Sequence, residues 1–147
     1  MEFADGKILA EIKDGVGRIT FNQPEKRNAM SVTMWAGMGA ALDLFEADAS
    51  VRCIVLTGAG DKAFVSGADI SQFEKIRSDA DAQREYSKQT AGGRLKLASF
   101  PKPVIAEIRG FCMGGGLGIA MSCDIRIAAD GSQFGIPAAR LRPSATP

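Results

Sequence analysis

Histidine is absent from the 147 residues, which removes Ser-His-Asp and Cys-His nucleophilic arrangements and the usual zinc and two-metal sites. Cysteine is scarce: residues 53, 112 and 123 are the three, an odd number with no CxxC pair, each in or beside an apolar run. They read as reduced, buried thiols rather than as a disulfide framework. Neither charge sign dominates, with 18 Lys and Arg against 17 Asp and Glu, so a nucleic-acid or acidic-membrane footprint is not expected. Apolar runs stop well short of the roughly 18 residues a membrane span needs. The opening MEFADGKILAEIKDG lacks a basic-then-apolar leader pattern, and a cytoplasmic location is the expectation. Chemistry in this chain must therefore come from carboxylates, backbone amides or a bound ligand.

What is present suits a soluble domain: 46% hydrophobic and 24% charged residues. ILAEI (8–12) and GRITF (17–21) alternate like strands around Asp14-Gly15, which predicts a hairpin. NQPEKRNA (22–29) is polar and carries Pro24, a loop. Ser31 is placed to cap a helix whose apolar positions 34, 35, 38, 41, 42 and 45 follow the 3.6-residue period. Gly37 and Gly39 in that helix suggest close packing. VRCIVLTG (51–58) is a buried, parallel-type strand, 58–70 a loop of small residues, and 70–99 polar with helical spacing. KPVIAEI (102–108) and DIRIAA (124–129) read as strands, RGFCMGGG between them as a turn, and LGIAMSC as a short apolar helix. Strand–helix–strand alternation predicts an α/β fold with a mostly parallel sheet.

Two glycine-rich loops draw attention. GAGDKA (58–63) matches a dinucleotide fingerprint, but the acids about twenty residues on, Asp79 and Asp81, fall in a polar helical stretch. The alternative uses both loops. Each follows a buried strand and sets small residues, Ser66-Gly67-Ala68 and Gly114-Gly115-Gly116, ahead of a helix. Amides at a helix start lack partners, and without side chains in the way two of them can approach one carbonyl oxygen to about 3 Å. Such a pair would stabilise an enolate or a tetrahedral oxyanion. Tight helix–strand packing alone is the competing reading of each loop.

NQPEKRNAMS, AFVSGADI, KPVIAEIRGFCMGGG and CDIRIAA, in this order and spacing, resemble the enoyl-CoA hydratase/isomerase (crotonase) superfamily over residues 8–141. The resemblance implies an α/β spiral of ββα units, incomplete here at the C-terminus, with residues 1–141 as the crotonase-like core and 142–147 as an atypical tail. It implies an acyl-CoA thioester whose carbonyl lies in an oxyanion hole made by the amides of Ala68 and Gly115. It lays Lys26, Arg27, Asn28 and Ala29, together with Ser66, Gly67, Ala68, Asp69, Ile70, Ser71, Gly114 and Gly115, along the substrate. Lys26 or Arg27 would face phosphates, or simply water. Coenzyme A enters as part of the substrate, with no separate cofactor and no metal, and family members assemble as trimers or hexamers.

Two departures qualify the resemblance. Family hydratases carry two glutamates, and the corresponding positions here are Gly118 and Ala138. Classical hydration is thus expected to be weak, leaving lyase or isomerase chemistry through a thioester enolate, or a non-catalytic acyl-CoA-binding fragment. Asp69, Glu74, Glu107 and Asp124 are the nearby acids, Asp69 more as a loop hydrogen-bonder than a proton carrier. The ending RLRPSATP, without helix pattern, reads as a truncation, and uncovered sheet surface predicts self-association.

Overall fold

The computed structural model describes residues 1–69, 71 and 79–136. The hairpin forms as expected: β2 (Ile8–Lys13) and β3 (Val16–Phe21) pair antiparallel, with Asp14 and Gly15 both at positive φ, and a short β1 (Glu2–Phe3) flanks β2. Helix α1 (Val32–Ala47) starts where Ser31 accepts the Met34 amide, 3.2 Å away. All six apolar positions picked out by the helical period are buried. Each large one contributes roughly 1.5–3 kcal/mol on burial. Gly37 packs closely, a β-carbon there lying 3.1 Å from that of Phe3, whereas Gly39 meets only the Lys96 ammonium at 3.9 Å. The small side at Gly39 therefore reflects no tight contact. The C-terminal carbonyls of α1 are closed by Lys102, whose Nζ donates to Phe45 O and Asp48 O at 2.7 and 2.8 Å.

From β4 (Cys53–Gly58) onward the chain repeats a pattern of two strands and a helix. The first strand of each unit joins a large sheet: β4, β6 (Val104–Ile108) and β8 (Ile125–Ala128) extend it in parallel beyond β3. The second strand joins a small parallel sheet of β5 (Ala63–Val65), β7 (Phe111–Met113) and β9 (Gln133–Gly135). Helices α2 (Ala80–Ala98) and α3 (Gly115–Met121) close the first two units. This is the α/β spiral of ββα units, with the hairpin supplying the antiparallel part. Phe21 of β3 meets Phe64 of β5 edge-to-face at 5.5 Å between ring centres and joins the two sheets inside one core.

Three sequence expectations need correction. The loop over 58–70 contains β5, and the turn RGFCMGGG contains β7. Because β5 begins at Ala63, within GAGDKA, the loop runs into a strand and not into the helix that a dinucleotide fingerprint requires, and the dinucleotide reading falls. Cys112 and Cys123 are buried and free as expected, burial pushing their thiols up to about 11 and about 12, but Cys53 is only half-buried. Ile70, Glu74, Ala138 and the tail 142–147 lie outside the described residues.

Candidate functional site

The site grows from two chain segments laid side by side. In the first, Pro24–Lys26 form one turn of 3-10 helix, and Arg27 and Asn28 both adopt the left-handed conformation, φ 51° and 57°. That double reversal is stabilised by Asn28, which is fully buried. Its Oδ1 accepts the Gln23 amide at 2.9 Å, and its Nδ2 donates to Ala59 O at 3.0 Å and Ala63 O at 2.8 Å. The Asn28 carboxamide is thus spent on holding the loop and has no group left to offer a ligand.

The chain then runs parallel to residues 66–69. Ser66 N–H donates to Arg27 O at 3.1 Å, Met30 N–H to Gly67 O at 2.8 Å, and Asp69 N–H to Met30 O at 3.0 Å. With residues 67 and 69 both tied to Met30, the amide of Ala68 points to the other side. Among the described residues no acceptor engages it.

The second bend follows β7. Gly114, at φ 52° and ψ −116°, is a conformation that side chains avoid, and its N–H donates to Gly135 O at 2.9 Å. Gly115 opens α3, where an amide has no intrahelical partner, and none is found for it elsewhere among the described residues. The two bends touch: a β-carbon on Gly114 would lie 3.9 Å from Gly67 Cα. Gly116 lets α3 settle onto β5, since a β-carbon there would come within 2.1 Å of the Val65 carbonyl oxygen. Three glycines in a row therefore serve three different needs: a bend, a bare amide and a close approach.

A cavity of about 640 Å³ opens beside these segments. Of the residues marked out in the sequence, Lys26, Arg27, Ala29, Ser66, Ala68, Asp69 and Ser71 line it, with Glu25 as an addition. Gly67, Gly114 and Gly115 are not among its lining residues, and Asn28 borders a smaller neighbouring depression. Lys26 Nζ stands 3.4 Å from Asp69 Oδ2 and 3.2 Å from Ser71 Oγ. The Arg27 guanidinium lies over the Phe111 ring at 5.0 Å, a cation–π contact that orients it. Burial alone would raise the Asp69 carboxyl, but the Ser71 hydroxyl and amide, Lys26 and Gln23 outweigh it and hold the group below its usual value. Asp69 is accordingly ionised at neutral pH.

Two of the other acids singled out in the sequence are engaged elsewhere. Glu107 bonds Arg18 and Thr57, each at 3.4 Å, beside a separate depression, and Asp124 accepts the Val104 amide at 2.8 Å. Gly118 presents no side chain, and a β-carbon there would face Arg94 Nη1 at 3.3 Å. Gln23, 1% exposed, is the residue the sequence did not disclose. It lies within NQPEKRNAMS but no role attaches to it there, since its partners lie up to 46 positions away.

A spiral of ββα units feeding two sheets, with two glycine bends in contact, is the crotonase-like architecture. The sequence profile of the enoyl-CoA hydratase/isomerase family matches residues 11–142, and the chain belongs to that family. It is 38% identical to the short-chain-enoyl-CoA hydratase of Clostridium acetobutylicum, covering 88% of this chain and 49% of that protein. It is 36% identical to the hydroxycinnamoyl-CoA hydratase-lyase of Pseudomonas fluorescens, over 88% of this chain and 48% of that one. The crystal structure of an enoyl-CoA hydratase/carnithine racemase from Magnetospirillum magneticum superposes with a TM-score of 0.88 at 34% identity, covering 99% of this chain and 54% of that one. The chain spans about half the length of the curated relatives it matches.

Proposed function

We propose that this chain binds an acyl-CoA thioester and polarises its carbonyl between the amides of Ala68 and Gly115, stabilising an enolate. The observation that carries this reading is the contact of the two bends, Gly67 against Gly114, each followed directly by an amide without an acceptor among the described residues. Two preorganised donors aimed at one oxygen suit charge that develops during reaction, and one such donor is typically worth about 10²–10³ in rate. The 640 Å³ cavity beside Ala68 has room for a phosphate-bearing ligand, with the Lys26 and Arg27 cations at its wall beside the carboxylates of Glu25 and Asp69.

The same reading limits hydration. General acid–base assistance contributes about 10²–10⁴-fold, and Gly118 offers no group to relay a proton. Asp69 cannot stand in as an acid, because its carboxyl is held below the ordinary value by four partners. Binding without hydratase turnover is therefore the second reading, and Gly118 favours it.

The test is a titration of ¹⁵N-labelled protein with butyryl-CoA and with free coenzyme A. The Ala68 and Gly115 amide protons should move downfield with the thioester and stay in place with coenzyme A alone. Equal behaviour with both ligands would sink the proposal. In a parallel assay crotonyl-CoA should be consumed at the background rate, while a wider panel of acyl-CoA esters followed by mass spectrometry separates an active lyase or isomerase from a binder.

A further inference from the structure

Ala68 shares its stretch of chain with a buried charge. The Asp69 side chain is 4% exposed, and its two oxygens divide their work. Oδ1 takes the Ser71 amide at 3.0 Å and the Ser71 hydroxyl at 2.6 Å. Oδ2 takes Gln23 Nε2 at 3.3 Å and Lys26 Nζ at 3.4 Å. Gln23 Nε2 also donates to Ala29 O at 2.8 Å. One carboxamide thereby bridges both segments that wall the cavity, through Ala29 on one side and Asp69 on the other. Met30, next to Ala29, is the residue whose backbone brackets Ala68.

A carboxylate with every acceptor direction filled is a poor proton carrier and a good strut. Rotating the 66–69 stretch enough to misdirect the Ala68 amide would break charge-assisted bonds to a carboxylate that is itself 4% exposed. We propose that the Gln23–Asp69 pair is the positioning device for the Ala68 amide and sets how strongly the site distinguishes a thioester carbonyl from the same ligand without one. This rests on the reading of the site given above.

The experiment compares butyryl-CoA with S-butyl-CoA, which differ in the carbonyl, by calorimetric titration of the full chain. Wild type should prefer the thioester. In Asp69→Asn one NH₂ must face either the Ser71 donors or the Gln23 and Lys26 donors, whichever way the amide is turned. Preference for the thioester, taken as the ratio of the two affinities, should fall about tenfold. Ser71→Ala removes the 2.6 Å hydroxyl bond to Asp69 and the 3.2 Å bond that Lys26 donates to the same hydroxyl, at an exposed residue, and should lower the preference about threefold with an unchanged circular dichroism spectrum. Ser71→Ala decides the matter where Asp69→Asn does not fold. Intact preference in the folded variants overturns this inference alone, and so does an equal loss of both ligands, which would mark a purely structural role. A wild type that binds both ligands equally overturns the reading of the site, and this inference with it.

Discussion

At the scale of the residue, buried polar groups govern this site more than its glycines do. Asn28 saturates three backbone groups from inside the core. Its replacement by alanine orphans those groups, each costing about 1–3 kcal/mol, and puts a residue without a local hydrogen-bonding side chain at φ 57°. Asn28→Ala is expected to lose roughly 2–4 kcal/mol in urea unfolding, close to the loss from a large core truncation. Asp69 yields a pH signature. Its folded value lies below the ordinary 3.8, so its contribution is present above that value and is lost as pH falls through the folded one. Acid unfolding of Asp69→Asn should lack this component: the wild-type stability advantage shrinks as pH drops from about 5, and a constant gap down to the folded value would contradict the assignment.

At the scale of the element, one substitution changes sign with context. Gly116→Ala drives a β-carbon to 2.1 Å from the Val65 carbonyl, so α3 must lift from β5. Such overpacking costs about 1–3 kcal/mol, and the shift carries the Gly115 amide with it. Gly92→Ala, on exposed α2 with nothing within 4 Å, should instead stabilise by about 0.5–1 kcal/mol. Urea midpoints for the pair check both signs.

The same contrast explains what could be read beforehand. The hairpin, α1 with its Ser31 cap, and the long strands of the large sheet were legible because period and capping chemistry are local signals. β5 and β7 were not, since three residues are too few to show alternation and both sit among glycines and small residues. Within the site, the glycine bends announced themselves, and Asp69 read correctly as a loop hydrogen-bonder. The resemblance lays Asn28 along the substrate with no hint that its side chain bonds the carbonyls of positions 59 and 63, and Gln23 gave no signal because its partners are assembled only by the fold.

At the scale of the whole molecule, the last described strands of the spiral carry exposed apolar side chains. β8 is the edge strand of the large sheet and each of its residues is exposed, with Ile125 at 50% and Ile127 at 59%. In the small sheet Phe134 is exposed as well, and Ile136 follows it. Parallel sheets are normally covered on both faces, and an open edge offers unpaired N–H and C=O groups to another chain. The 147-residue chain is therefore expected to self-associate. Light scattering at micromolar concentration should report a mass well above the 15.5 kDa of one chain. The double variant Ile125→Lys with Ile127→Lys, which places charge on the edge strand, should move the population toward that mass without changing the circular dichroism spectrum. A monodisperse wild-type monomer would contradict the expectation. An assembly indifferent to the two lysines would move the contact away from β8.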